Sequence, residues 1–254
     1  MALATDRQLD QTRSMNNERL DIHNSDVPAL CLSCEARHKG VCGALTPSQL
    51  QTLAKHTTRR EYPAGTVLLR EADPVDSHAN IMRGVVKLSK VLADGRQQIV
   101  GLQFAPDFLG RPMTSENAMT VEAASNVQIC GFPKSTLDRL MTENPGLEHR
   151  LLSQTLKELD EAREWMVTLG RKTAAEKVAS FLYLIASHID PEADHTAAFE
   201  LPLSRSDIAD FLGLTTETVS RQMTRLRREG VITIKNRRLI TVPDRERLIE
   251  LAGN

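Results

Sequence analysis

The chain of 254 residues is long enough for one large domain or two of ordinary size, and its hydrophobic fraction of 41% is sufficient for globular cores. No apolar run approaches the roughly 18–20 residues that a membrane span needs, and the N-terminus lacks the apolar segment of a signal peptide, which predicts a cytoplasmic protein. The net charge of -1 argues against a general coat for nucleic acid.

The N-terminal part divides into a polar segment and a cysteine-rich segment. Residues 1–28 are polar and aperiodic, which predicts a flexible tail. Cys31, Cys34 and Cys42 follow close together, and the fourth cysteine, Cys130, lies far along the chain. In a cytoplasmic protein such clustering favours metal binding or redox chemistry over structural disulfides.

Residues 29–135 are predicted to contain the cysteine loop and a small antiparallel β-roll. Short runs of β-forming residues are separated by turn signals. The predicted strands are Val67–Leu69, 80–82, Val85–Val91, Gln97–Phe104, 121–124 and 127–132. Asp94 and Gly95 between two of these runs predict a hairpin.

Residues 136–172 are predicted to form a short helix and then a long helix that begins at Pro145. A coiled-coil type stripe runs along the long helix and consists of Leu152, Leu156, Leu159 and Met166. The stripe would pack either on the roll or against the same helix of a second chain. The length of the helix and its charged opposite face favour a homodimer. Four acidic residues are expected to flank the dimer seam, namely Glu158, Asp160, Glu161 and Glu164.

Residues 173–254 are predicted to form a winged helix-turn-helix. Ser206 is expected to cap the first helix, and Gly213 is expected to supply the left-handed turn that follows it. The second helix is predicted at Thr216–Arg228, capped by Thr215 or Thr216. Its inward face consists of Val219, Met223 and Leu226. Residues 231–234 and Leu239–Val242, joined by the basic turn 235–238, predict the wing.

The phase of the second helix turns polar residues outward near its start. These residues are Thr216, Glu217, Ser220, Arg221 and Arg225. Arg221 has the donors to pair with guanine, and Glu217 can accept from cytosine N4. The segment from Ser204 to Ile240 has eight basic residues against four acidic ones, which suits contacts with phosphates. The pattern predicts a sequence-specific transcription regulator.

From about Cys31 to the C-terminus the chain resembles the CRP/FNR family of bacterial regulators. Its most specific motif is E-x-x-S-R, formed by Glu217, Ser220 and Arg221, which is similar to the FNR and FixK branch. The resemblance implies an α+β fold with a β-roll, a long dimerisation helix and a C-terminal winged helix-turn-helix. It also implies a homodimer, a palindromic DNA site with TTGAT-like half-sites, and RNA polymerase as a partner.

The cysteine spacing, with Cys130 late in the last strand of the roll, resembles the cluster-binding cysteines of the FNR branch. The resemblance implies that Cys31, Cys34, Cys42 and Cys130 hold a [4Fe-4S] cluster that oxygen destroys. Two alternatives stay open: a Zn²⁺ ion, with His38 able to replace one thiolate, and a thiol switch in which Cys130 is only a small buried residue.

Two further classes of function are considered. Residues 115–121, where the CRP branch binds the phosphate of cyclic AMP, have no arginine and contain Glu116. We therefore expect no cyclic nucleotide to bind. The alternative of another class is an iron–sulfur electron carrier or enzyme. The chain shows no nucleotide-binding glycine loop and no Ser-His-Asp arrangement, and we expect no catalytic residues.

Overall fold

The computed structural model describes residues 26–189 and 196–253. It begins with two short helices, α1 (Ala29–Leu32) and α2 (Glu35–His38), a 3-10 turn at Val41–Ala44, and helix α3 (Pro47–Lys55). Thr46 caps α3 through a reciprocal pair of hydrogen bonds with Gln49. Most of the predicted flexible tail, residues 1–25, lies outside the described residues.

The strands of the β-roll are β1 (Thr58–Tyr62), β2 (Val67–Leu69), β3 (Ser77–Arg83), β4 (Val85–Val91), β5 (Gln97–Phe104), β6 (Phe108–Leu109), β7 (Thr120–Ala123) and β8 (Val127–Pro133). They form two four-stranded antiparallel sheets, with strand orders β1-β8-β3-β6 and β2-β7-β4-β5. The hairpin predicted at Asp94 and Gly95 is confirmed, because β4 pairs with β5 and Gly95 adopts a positive φ of 86°.

Strands β1 and β6 were not predicted from the sequence. Strand β1 reads Thr-Arg-Arg-Glu-Tyr and is mostly exposed, so it lacks the alternation of a half-buried strand. It forms because β8, almost 70 residues later, pairs with it residue by residue. The interior of the roll is a small apolar core that includes Ala79, Ile81 and Val121.

Three helices leave the roll: α4 (Lys134–Glu143), α5 (Pro145–Arg171) and α6 (Ala174–Ile189). Helix α5 begins as predicted at Pro145, after Asn144, whose side chain accepts from the backbone N–H of Gly146. Its first two turns are buried at Leu147 and Leu151, whereas most of its later residues are exposed.

The C-terminal part contains α7 (Arg205–Leu212), α8 (Thr216–Arg228) and α9 (Arg245–Leu251). A three-stranded sheet accompanies them, in the order β10-β11-β9, with bounds β9 (Ala197–Glu200), β10 (Thr233–Lys235) and β11 (Leu239–Val242). The wing therefore has a third strand, β9, that the sequence did not predict. The predicted α+β class with its roll, long helix and winged helix-turn-helix is confirmed.

The prediction that Ser206 caps the first helix of the helix-turn-helix is wrong. Ser204 is the cap: its hydroxyl accepts from the backbone N–H of Asp207, and the Asp207 carboxylate accepts from the backbone N–H of Ser204. This reciprocal pair starts the helix at Arg205, so that Ser206 already lies in the first turn.

The roll and the C-terminal part share one apolar core. Val85, Ile99 and Phe104 of the roll belong to the same buried cluster as Phe181 and Phe211. The helix-turn-helix is therefore docked against the outer side of strands β4 and β5. In the described ranges, no helix is long and apolar enough to span a membrane.

Candidate nucleic-acid interface and cysteine site

Helix α8 is fixed by local contacts at its start and by packing along one face. Gly213 ends α7 in the left-handed conformation, with φ 62°, and Thr215 caps α8 by accepting from the backbone N–H of Thr218. The predicted inward residues Val219, Met223 and Leu226 are all buried. The helix spans Thr216–Arg228, as predicted from the sequence.

The residues predicted to contact DNA lie on the exposed side of α8. Thr216, Glu217, Ser220, Arg221 and Arg225 are all exposed. The pKa of Glu217 is lowered, first by its own backbone N–H and then by the Thr215 hydroxyl, so its carboxylate is ready to accept from a base. The contacts of these five residues with DNA bases stay predictions. A row of exposed polar side chains on the second helix is what a helix-turn-helix presents to the major groove.

Arg225 differs from its neighbours because it already has a charged partner. Its Nε lies 2.8 Å from Oε1 of Glu229, one helical turn away. Binding a phosphate through Arg225 would require this ion pair to open, and an ion pair that is in contact with water contributes little. Arg225 is therefore available to phosphate at little cost.

The stripe on α5 is exposed in the single chain. Leu152, Leu156, Leu159 and Met166 have exposed fractions between 43% and 70%. The other side of the helix contacts the helix-turn-helix, where the rings of Trp165 and Phe211 are 4.5 Å apart. The alternative in which the stripe packs on the roll is therefore not what the structure has. A second chain at this face stays a prediction.

The expectation that four acidic residues flank the seam needs correction at Glu158. Its carboxylate faces the roll, 3.5 Å from Nε2 of Gln103, and burial followed by the charge of Asp107 raises its pKa. Asp160 and Glu161 instead pair with Arg163 and Lys157 on the same helix. The charge repulsion expected at the predicted dimer seam is thus weaker than the sequence suggested.

The four cysteines lie on two separate parts of the fold. Cys31 is in α1, Cys34 precedes α2, and Cys42 is in the 3-10 turn, so all three belong to the loop that covers the β3–β8 sheet. Cys130 is in the middle of β8, within that sheet. No cysteine is in a disulfide among the described residues.

The thiols are close enough to influence one another electrostatically. Burial, followed by the charges of Cys130, Cys34 and Cys31, raises the pKa of Cys42. Burial and then the charges of Cys34 and Cys31 raise the pKa of Cys130 to about 11. These thiols resist ionisation because they are buried and lie near one another. A positively charged metal group would stabilise their thiolate forms, so the site is suited to such a group.

No three side chains of the metal-binding types are gathered around a single ion in residues 26–189 and 196–253. The imidazole of His38, the possible replacement ligand, has its Nε2 3.5 Å from the carbonyl oxygen of Leu32. The four cysteines, three on the loop and one on β8, are the ligand type and number that a [4Fe-4S] cluster takes.

Arg59 on β1 is a residue of this site that sequence analysis missed. It lies directly opposite Cys130 in the sheet, and its guanidinium donates to the carbonyl oxygen of Leu30 at the start of the cysteine loop. Its charge opposes the rise in the pKa of Cys31 and Cys130. Because β1 was not predicted, no sequence signal placed this arginine beside the cysteines.

The roll, the long helix and the exposed face of α8 in the helix-turn-helix are the architecture of a class of DNA-binding transcription regulators. Residues 59–144 match the cyclic nucleotide-binding domain family, and residues 176–251 match the Crp-like helix-turn-helix domain family. The chain is 56% identical to a probable transcriptional activator of Rhizobium leguminosarum over 92% of this chain and 98% of that protein. The chain belongs to the CRP/FNR family and is a regulator rather than an enzyme.

Other relatives place the chain within the FNR and FixK branch. It is 41% identical to the transcriptional activator protein FnrL of Cereibacter sphaeroides, over 90% of this chain and 95% of that protein. The structure of FixK2 from Bradyrhizobium japonicum has a TM-score of 0.70 and 31% identity, and the match covers 77% of this chain and 96% of that one. The predicted membership of this branch is confirmed.

Proposed function

We propose that the chain is an oxygen-responsive regulator that binds DNA as a homodimer while a [4Fe-4S] cluster is held by Cys31, Cys34, Cys42 and Cys130. The DNA site is a palindrome of TTGAT-like half-sites, and RNA polymerase is the protein partner in the cytoplasm. The observation that carries the proposal is that three thiols on the cysteine loop and the Cys130 thiol on β8 influence one another electrostatically, while the same loop is hydrogen-bonded to the long helix α5.

The cysteine loop and α5 are joined by hydrogen bonds. Arg150 on α5 donates from Nη2 to the carbonyl oxygen of Lys39, at 2.6 Å, and from Nε to that of Gly40, at 3.3 Å. Asn144, which caps α5, donates to the carbonyl oxygen of Ala44, at 2.8 Å. The chain on both sides of Cys42 is thereby fixed to the start of the long helix.

Apolar packing adds to this connection. Val41 and Cys42 are buried in the same cluster as Leu147 and Leu151 of α5. A displacement of the loop therefore displaces the first turns of the helix, because packed interiors transmit strain. The exposed stripe that starts at Leu152 follows directly, so the position of the loop biases the dimer face.

When bound, a [4Fe-4S] cluster joins the four thiolates, and oxygen breaks this link by destroying the cluster. Cys31, Cys34 and Cys42 would anchor the loop to it, and Cys130 would anchor the sheet. A dimer of modest stability responds strongly to such a link, because a shift of a few kcal/mol changes its population by orders of magnitude.

The preference for a cluster over zinc rests on the resemblance of the cysteine arrangement, three in one loop and one in β8, to that of the FNR branch, and on the similarity of the chain to FnrL. Zinc held by the same thiolates is the alternative that iron and sulfide analysis would reveal. Residues 115–121 contain no arginine for a cyclic nucleotide phosphate, so we propose no role for that ligand.

Anaerobic DNA binding tests the proposal. Fluorescence anisotropy would compare a duplex with two TTGAT-like half-sites with a scrambled duplex, before and after exposure to air. We expect specific binding that air abolishes. Cys130→Ala should bind weakly in both conditions, whereas Ser33→Ala, an exposed substitution in the same loop, should behave as wild type. Equal affinity before and after air would contradict the oxygen response.

A further inference from the structure

Asn80 is a buried amide that stands between the two parts of the cysteine site. It lies on β3, is only 1% exposed, and pairs directly with Cys130 of β8 in the antiparallel register. Side chains of directly paired residues lie on the same face of a sheet. Asn80 and Cys130 therefore face the cysteine loop together.

The Asn80 amide contacts a sulfur of the opposite part of the site. Its Nδ2 donates to Sγ of Cys42, at 3.3 Å. Its Oδ1 is buried and has no hydrogen-bond partner among the described residues. A buried amide costs free energy unless its groups are paired, and among the described residues the side chain of Asn80 has one hydrogen bond, to the sulfur.

An anionic sulfur accepts a hydrogen bond more strongly than a neutral thiol does. The benefit of the Asn80 amide is therefore greatest when Cys42 is a thiolate. Hydrogen bonds to ligand sulfurs are also one of the factors that set the reduction potential of an iron–sulfur cluster.

We infer that Asn80 is a positioning residue that orients the Cys42 thiolate toward the cluster. The Nδ2–Sγ hydrogen bond also tunes the electron density of the Cys42 sulfur. This inference rests on the proposed function, since it concerns the same four cysteines. It assigns to the β3 strand a role that neither cysteine spacing nor the ligand count reveals.

The test uses the reduction potential of the full-length protein loaded anaerobically, measured by an optical titration. Asn80→Leu removes the donor at similar volume, and we expect a shift to lower potential, because the more negative reduced state loses a hydrogen bond. Asn80→Gln retains an amide and should recover part of the shift. Gln103→Leu, which removes another buried amide of the roll, should leave the potential unchanged.

The outcomes separate this inference from the proposed function. If the loaded Asn80→Leu variant has the same reduction potential as the loaded wild type, the role of Asn80 is overturned, whereas the proposed function is unaffected. If Asn80→Leu does not bind iron, circular dichroism shows whether the variant is folded. Asn80→Gln that binds the cluster and has nearly the wild-type potential then supports the role of Asn80. If neither variant binds the cluster, the role of Asn80 is overturned. A wild type that binds no iron would overturn the proposed function together with this role.

Discussion

Lys87 on β4 and Asp207 on α7 form an ion pair between the roll and the helix-turn-helix, with Nζ and Oδ1 2.6 Å apart. The same amino group lies 3.0 Å from Oε1 of Glu122 in the roll. Burial would lower the pKa of Lys87, but its hydrogen bonds to the two carboxylates outweigh that effect and raise it. Asp207 also belongs to the cap of α7, so the roll contacts the first turn of the helix-turn-helix directly.

Removal of this contact should loosen the docking of the two parts. Lys87→Met leaves two partly buried carboxylates without their cation, and we expect a loss of about 2 kcal/mol, between the limits for exposed and for buried pairs. The single tryptophan, Trp165, packs on Phe211 at this interface, so its emission should shift toward longer wavelengths. Denaturant unfolding followed by this fluorescence measures both effects.

The matched control is Lys90→Met on the same strand. Lys90 pairs with Glu71, but both side chains are more than 40% exposed and both belong to the roll. This change should cost less than about 1 kcal/mol and leave the emission of Trp165 unaltered. If the two variants behave alike, the Lys87 contact does not hold the domains together.

A charge in the stripe of α5 should prevent dimer formation. Leu159→Glu would place a carboxylate in the proposed seam, where a buried unpaired charge is costly. In anaerobic sedimentation we expect the wild type as a dimer and the variant as a monomer, with affinity for the palindrome at least about tenfold weaker. Val91→Glu alters an exposed apolar residue outside the stripe and should stay dimeric. A dimeric Leu159→Glu would place the interface elsewhere.

Arg221 is expected to read a base and not only a phosphate. Arg221→Ala should cost about 1–3 kcal/mol at the cognate site and relax the choice at one base pair. Arg227→Ala, an exposed arginine on a different side of α8, should have at most a small effect that is equal on all sequences. Affinities for a set of singly substituted duplexes distinguish these results. Uniform weakening by Arg221→Ala would restrict that residue to phosphate contact.

His78 should make the fold sensitive to acid. It is 2% exposed, and in the described part of the chain neither ring nitrogen has a hydrogen-bond partner. Burial and then the charge of Lys134, against the weaker opposite effect of Asp138, lower its pKa to about 4. The unfolded chain, with a histidine pKa of about 6.5, therefore takes up a proton that the folded chain excludes. Stability from this residue is complete above about pH 6.5 and falls as the pH approaches 4.

His78→Leu should reduce this dependence on pH. We expect the denaturation midpoint of the wild type to fall more between pH 7.5 and pH 5 than that of the variant. His149→Leu, which removes an exposed histidine on α5, should retain the wild-type dependence. If His78→Leu and the wild type lose stability equally, His78 is not the group responsible.

The features that the sequence predicted well are those encoded in short windows. The glycine turn, the cap and the inward triplet of α8 all lie between Gly213 and Leu226, and the bounds of this helix were predicted correctly. Strand β1 and the site residues Arg59 and Asn80 were missed, because their roles depend on partners far along the chain. Asn80, for example, meets a sulfur 38 residues earlier.

The orientation of Glu158 shows the same limit. The heptad pattern placed its carboxylate beside the seam, but α5 also packs on the roll, and Gln103 and Asp107 lie on that side. A pattern along one helix indicates which residues share a face. It does not reveal which neighbouring element each face contacts.

The most direct test of the account is the iron and sulfide content of the protein purified without oxygen, measured together with its visible absorption. We predict about four irons and four sulfides per chain, with a broad absorption that fades in air and is absent from Cys130→Ala. A colourless wild-type protein that contains zinc and no iron would contradict the account of oxygen sensing.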